Sequence, residues 1–259
     1  MIQSIHRATL ILDYVAQHNE EGCRIIDIAT AVNLKVNTTF NIIDTLCQLH
    51  LLQQENGGKR YQLGAKTLML GNKYLQSLSL YKIAYPLVSK LSMDFGENFY
   101  VVKEEKGKLS YVIFLESTQT VRPIRNAVDN INLHSTAIGK IFLASMKEIE
   151  FEKFLKENTP MSMFTKHTIV DEQDLVKELS IVKNTSCAFD REESELGIQC
   201  MAVPIFNAEN NLEAVLGTSI PTQRSLEKLM NTLLPAMKQV AEEIMLKLGR
   251  DQMLCIPKS

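Results

Sequence analysis

Apolar residues recur at helical spacing along the first fifty residues, then give way to short stretches that alternate. Ile5, Ala8, Leu12, Val15 and Ala16 share one face of a helix predicted over Gln3 to Gln17. Ile25, Ile28, Ala29 and Val32 do the same for a second helix around Asp27 to Val32. A third begins near Asn37. Turning about 100° per residue puts Val36, Phe40, Ile43, Leu46, Cys47 and Leu49 on one arc, and Asn37, Thr38, Asn41, Asp44, Thr45 and Gln48 on the other. Asn33 lies between these helices, where a residue tolerant of the left-handed conformation is wanted. Strand signals follow at Leu51 to Gln54 and Tyr61 to Leu63, joined by a turn holding Gly57 and Gly58. Two short helices and a hairpin in this order predict a winged helix-turn-helix over residues 1–64.

The remaining pattern predicts a connector helix over 65–80, in which Leu68, Leu75 and Leu78 are interrupted by Gly71, and then a separate domain over 81–250. A helix is expected from Tyr81 to Phe95, with Pro86 giving a kink or a late start. Strands are expected at Asn98 to Lys103, Leu109 to Glu116 and Thr120 to Asn126. Helices are expected at Ser135 to Ala144, Lys147 to Glu157 and Asp171 to Lys183. Further strands fall at Cys187 to Asp190, Met201 to Phe206 and Ala214 to Ser219, and a long helix, Ser225 to Leu248, follows. Strands grouped among helices in this way predict an α+β fold with an antiparallel sheet.

The division of the third helix suits a major groove, with one side packed on the domain and the other carrying short hydrogen-bonding side chains. Its candidate base readers are Asn37, Thr38, Asn41, Thr45 and Gln48. No Lys or Arg stands on that side, which also holds Asp44. Attraction for phosphates must therefore come from the surrounding Arg7, Arg24, Lys35, Lys59, Arg60 and Lys66. Of these, Arg24, Lys35 and the wing residues Lys59 and Arg60 are the candidate DNA contacts. Asn and Gln match adenine edges, so an A·T-rich half-site is expected. The competing reading is a winged helix used for protein contacts.

Composition narrows the setting. The chain has 259 residues, enough for one small and one average domain, with 45% hydrophobic and 22% charged residues. The formal net charge is -2, so contact with nucleic acid must be local and not a bulk coating. Cys23, Cys47, Cys187, Cys200 and Cys255 form no CxxC pair and are odd in number, which fits a reducing cytoplasm. No apolar run is long enough for a bilayer, and Met1 to His18 reads as an amphipathic helix, not a signal peptide. No membrane partner and no cofactor are expected.

Five segments together resemble the IclR family of bacterial transcriptional regulators. They are SIHRATLILDYVAQH (Ser4 to His18), KRYQLGAKTLMLG (Lys59 to Gly71), LHSTAIGKIFLA (Leu133 to Ala144), FTKHTIVDEQDLVKEL (Phe164 to Leu179) and DREESELGIQCMAVPIFN (Asp190 to Asn207). The resemblance implies an N-terminal winged helix on a palindromic double-stranded operator and a C-terminal GAF/PAS-like domain. That second domain would bind a small effector, a carboxylate by family analogy, in a homodimer or tetramer. It implies a pocket built from Ala137, Ile138, Asp190, Cys200, Gly217 and Ser219, with Ile124 and Ile131 near its apolar wall. The segment TAIGK would start a helix there, whose free N–H groups suit an anion. The family often has a basic residue where Val36 stands and Arg where Asn41 stands, so the operator sequence does not carry over.

The rival from another class is an enzyme on the C-terminal domain. It would use Cys200 as a thiol nucleophile with His134, the acidic run Asp190, Glu192, Glu193 and Glu195, or zinc held by His134, Asp190 and Cys200. Spacing supports none of these sets, and a solvated loop is the expectation for the acidic run.

Overall fold

The computed structural model describes residues 2–54, 58–77, 79–124, 131–224 and 231–250. The chain divides into two compact units, Met1–Ser77 and Leu78–Ser259. The expected turn residue Gly57, Leu78, the stretch 225–230 and Cys255 lie outside the described residues.

The first unit contains α1 (Gln3–Gln17), β1 (Cys23–Arg24), α2 (Ile25–Ala31), α3 (Val36–Gln48), β2 (Leu52–Gln54), β3 (Arg60–Leu63) and α4 (Ala65–Ser77). Its three strands pair antiparallel in the order β1-β3-β2. The two-residue strand β1 carries no sequence signal; it forms because Cys23 pairs with Tyr61 across from the wing. Ile11, Val15, Cys23, Ile28, Ile43, Leu46, Leu52 and Tyr61 form the core. Asn33 adopts φ 51°, the left-handed turn expected between α2 and α3.

Two apolar faces differ from their predicted positions. On α1 the buried residues are Ile11 and Val15, while Ile5 and Ala16 are exposed. On α3 the buried stripe is Thr39, Ile43 and Leu46, and Val36, Phe40 and Leu49 stand at the surface. Thr39 belongs inside because its hydroxyl donates to the Lys35 carbonyl at 3.2 Å, leaving its methyl for the core.

The second unit begins with α5 (Ser79–Phe95), which starts well before Pro86 and continues through it. Strands β4 (Asn98–Glu105) and β5 (Lys108–Leu115) follow, then α6 (Ala137–Ser145), α7 (Glu148–Asn158) and α8 (Glu172–Thr185). Strands β6 (Ala188–Arg191), β7 (Ile198–Phe206) and β8 (Leu212–Pro221) and helix α9 (Leu233–Lys247) complete the unit. The five strands form one antiparallel sheet in the order β5-β4-β8-β7-β6. The third strand expected at Thr120 to Asn126 is irregular over Thr120–Ile124, and its last two residues lie outside the described residues. Asn98 Nδ2 holds this stretch by donating to the Pro123 carbonyl at 2.9 Å, a side-chain anchor in place of a ladder.

Side chains alternate across the sheet. Tyr100, Val102, Ala202 and Val215 pack with Ala137, Ile138, Ile141 and Phe142 of α6. Helices α5 and α9 pack on each other and on β4, β5 and β7. Among the described residues no helix is long and apolar enough to cross a membrane.

Candidate nucleic-acid interface and candidate effector pocket

Asn37, Asn41, Thr45 and Gln48 are exposed on α3 and Thr38 is half-buried, but the five are not equivalent. Gln48 Nε2 donates to Asp44 Oδ2 at 2.7 Å, and Thr45 Oγ1 donates to the Asn41 carbonyl at 2.9 Å. The amides of Asn37 and Asn41 have no side-chain partner among the described residues. They lie one turn apart in the N-terminal half of the helix, the part that meets base edges in helix-turn-helix docking.

The cations divide in the same way. Arg24 pairs with Asp27 at the start of α2, at 2.9 and 3.2 Å, which holds the Asp27 carboxyl below its usual range. Arg60 is turned back from the wing, donating to the Gly22 carbonyl at 2.7 Å and the Glu21 carbonyl at 3.2 Å. The expectation that Arg60 projects freely toward phosphates is therefore corrected: it clamps the wing to the loop before β1. Lys35 and Lys59 are exposed and make no ion pair among the described residues.

The second site is a cavity of about 360 Å³ between the sheet and the start of α6. Its floor is one lateral row of the sheet. Asn98 on β4 stands opposite Ser219 on β8, Ser219 opposite Cys200 on β7, and Cys200 opposite Asp190 on β6. Three strand pairings thus assemble residues that are far apart in the chain. Ile124, Ile131, Ala137 and Ile138 supply other walls, so seven of the eight expected pocket residues line the cavity. Tyr100, Tyr111 and Phe114 form an aromatic side, with Tyr100 and Phe114 parallel and Tyr111 edge-on to both.

Gly217, the eighth, does not line the cavity. A Cβ built there would lie 2.1 Å from Cε2 of Tyr100. The missing side chain lets the Tyr100 ring cross the sheet toward the pocket. Gly139 works similarly: a Cβ would meet the Leu133 backbone at 2.3 Å, so only glycine lets that segment pass over the first turn of α6. Thr136 caps this helix, its hydroxyl accepting from the Gly139 N–H at 3.1 Å and donating to the Asn132 carbonyl at 2.8 Å. One of the expected free N–H groups is thereby used. Those of Ala137 and Ile138 have no acceptor among the described residues.

Burial raises three titratable groups of the pocket, Cys200, Tyr100 and Asp190. Burial first, then the nearby Asp190 carboxylate, pushes the Cys200 thiol well above its ordinary range, and burial does the same to the Tyr100 phenol. Burial also raises Asp190, against hydrogen bonds from Ser194 and the Glu193 and Ser194 N–H groups. A thiol nucleophile requires the thiolate, so Cys200 is in the wrong protonation state for one. His134 is engaged elsewhere, its Nε2 2.9 Å from the Ser162 carbonyl and its ring beside Phe164. Among the described residues no three His, Cys, Asp or Glu side chains are placed to hold a metal ion.

The acidic run is solvated only in part: Glu195 is exposed and Glu192 half-buried, while Asp190 and Glu193 turn inward. Asp190 Oδ1 accepts from the Glu193 N–H at 2.8 Å, Oδ2 accepts from the Ser194 hydroxyl, and both Asp190 and Glu193 are buried. Sequence reasoning missed what neutralises Glu193. Lys140, fully buried on α6, donates to Glu193 Oε1 at 2.6 Å, to the Phe189 carbonyl at 2.8 Å and to Glu178 Oε1 at 3.2 Å. Thr165 and Thr168, within FTKHT, donate to the carbonyls of Glu192 and Glu193 at 2.6 and 2.7 Å. The only signal in the sequence was the lysine in TAIGK, set among apolar neighbours.

Residues 72–246 match the model of the bacterial transcriptional regulator IclR C-terminal family. The chain is 28% identical to an uncharacterized HTH-type transcriptional regulator of Haemophilus influenzae, covering 95% of this chain and 93% of that one. It is 25% identical to the transcriptional repressor IclR of Escherichia coli, covering 96% and 90%. The crystal structure of an IclR homolog of Microbacterium hydrocarbonoxydans complexed with 4-hydroxybenzoate superposes with a TM-score of 0.82. That match has 18% identity and covers 95% of this chain and 99% of that chain. These relatives are regulators and not enzymes. With a C-terminal domain of the effector-binding kind, the chain belongs to the IclR family of transcriptional regulators.

Proposed function

We propose that the chain is a repressor that binds a palindromic operator and whose affinity is set by a small carboxylate in the second unit. The observation that carries this reading is the α3 surface, where Asn37 and Asn41 stand exposed with no side-chain partner among the described residues, and where Lys35 just before the helix and Lys59 on the wing are also exposed. In this reading Asn37 and Asn41 read adenine edges, and Thr38, Thr45 and Gln48 give secondary contacts. Lys35 and Lys59 meet phosphates, and Arg24 and Arg60 add charge from their clamped positions. Residues 1–64 form the DNA-binding domain, 65–80 the connector and 81–250 the effector domain.

A carboxylate fits the N–H groups of Ala137 and Ile138, with the Ser219 hydroxyl as a further donor and Tyr111 and Phe114 against its carbon skeleton. The relative bound to 4-hydroxybenzoate supports an organic acid as the class. The exposed Ile2 just before α1, Ile5 on it, and Leu68, Met69 and Leu70 of α4 support pairing of two chains through these helices. A pair would read half-sites one or two helical turns apart, about 34–36 Å per turn. The effector shifts operator affinity only as far as it prefers one arrangement of the pair, commonly about 1–3 kcal/mol.

The test is DNA binding by the full chain to its own upstream region, across a salt series, with and without a panel of small organic acids. Affinity falling steeply with salt and changing with one acid supports the reading. Binding without a salt slope overturns it.

A further inference from the structure

Val36 and Phe40 were expected in the core of the first unit, yet they are 45% and 51% exposed on α3. Neither belongs to the core cluster of that unit. They lie four residues apart and form an apolar column directly beside the amide column of Asn37 and Asn41. Four exposed side chains in the first two turns of α3 thus alternate apolar, amide, apolar, amide.

An A·T pair offers two features along one major-groove edge: the adenine N6 and N7, and the 5-methyl group of the paired thymine. Amides match the first and apolar side chains the second. A G·C pair offers no methyl, and its guanine edge is usually read by Arg or Lys, of which α3 has none. Asp44 and Gln48, further along, are satisfied by each other.

We infer that Val36 and Phe40 determine specificity by packing on thymine 5-methyl groups, Phe40 being the main contact, so that A·T pairs are read from both strands at once. The inference rests on the DNA-binding reading of the first unit and adds which residues select the base pair.

The test uses the full chain. A preferred half-site is first selected from random duplexes, and each thymine in it is then replaced singly by deoxyuridine, which removes only the methyl group. The wild type should lose about fourfold in affinity at one or two positions, the effect expected for one buried methyl-sized group. Phe40→Ala should bind the thymine and deoxyuridine duplexes equally at one of those positions, and Phe40→Leu should keep part of the preference. Because Phe40 lies outside the core, both variants should unfold at the wild-type denaturant midpoint. Specific binding that is indifferent to deoxyuridine everywhere, or a Phe40→Ala protein that keeps the full thymine preference at every sensitive position, overturns the inference and leaves the DNA-binding reading standing. Failure to enrich any sequence overturns both.

Discussion

The two candidate binding surfaces hold their polar groups in opposite ways. On α3, Asn37 and Asn41 stand in solvent with no partner among the described residues. In the second unit the row Asn98, Ser219, Cys200 and Asp190 is tied sideways. Asn98 Nδ2 donates to Ser219 Oγ at 3.3 Å and Asn98 Oδ1 accepts from the Ser117 N–H at 2.6 Å. Asp190 and Glu193 are fixed by Ser194 and Lys140. The part of the reading surface formed by Asn37 and Asn41 is therefore separable from the stability of its unit, because truncating those amides removes no side-chain hydrogen bond seen among the described residues. The pocket is part of what holds its unit together, and a change there affects binding and folding at once.

That contrast breaks most sharply at Lys140. Lys140→Ala leaves Glu193 buried without its cation, at a cost of about 3–5 kcal/mol, read as a large drop in the urea midpoint of the second unit. A midpoint within error of wild type would mean that the lysine network is not structural. Gly217→Ala should come next. Its methyl must displace the Tyr100 ring, costing about 1–3 kcal/mol and abolishing the effector response while salt-dependent DNA binding persists. Asn41→Ala should leave the midpoint unchanged and relax preference at a single base position by about 1–3 kcal/mol, with the salt slope preserved. An equal loss on all sequences would instead make Asn41 a phosphate contact. Lys59→Ala should weaken binding to all sequences and lower the salt slope by about 0.9.

The smallest effect concerns pH. Burial raises Asp190 and Glu193 above their ordinary carboxyl ranges. A carboxyl whose folded pKa exceeds its unfolded one contributes stability that is fully present below the unfolded value and is lost as pH rises through the folded value. Stability of the second unit should thus decline as pH climbs from the ordinary carboxyl range through the raised one. Asp190→Asn should flatten that slope in denaturation curves taken at successive pH values. A slope identical to wild type would show that Asp190 does not titrate in this window.

The elements were largely legible because each follows from local periodicity. The helices of the first unit, the wing strands and most strands of the large sheet coincide with their sequence signals to within a few residues. What could not be read locally was the rotation of each helix about its axis. The alternation around α3 suits an arc through Val36 and Phe40 almost as well as one through Thr39, and only packing against α1 and α2 chose the second. The strand expected over Thr120 to Asn126 failed for a related reason. Its composition allows a strand, but over Thr120–Ile124 the chain is irregular and is anchored instead by the Asn98 side chain on the Pro123 carbonyl.

The candidate pocket was legible only in part. Its residues came from resemblance; spacing alone would not join Asn98 to Asp190, because the row depends on the register of three separate strand pairs. Lys140 remained hidden because a lysine in a helical pattern reads as surface until its partners are known. The amino-acid sequence alone determined the helices, the wing, the alternating strands and the amide-bearing character of α3, all properties of neighbours within a few residues. Tertiary structure alone decided that Phe40 faces solvent, that Arg60 is clamped, that Gly217 makes room for Tyr100, and that Asp190 and Glu193 of the acidic run are buried, Glu193 against Lys140. Each of these is set by contact between segments distant in the chain, where long-range packing overrides local pattern.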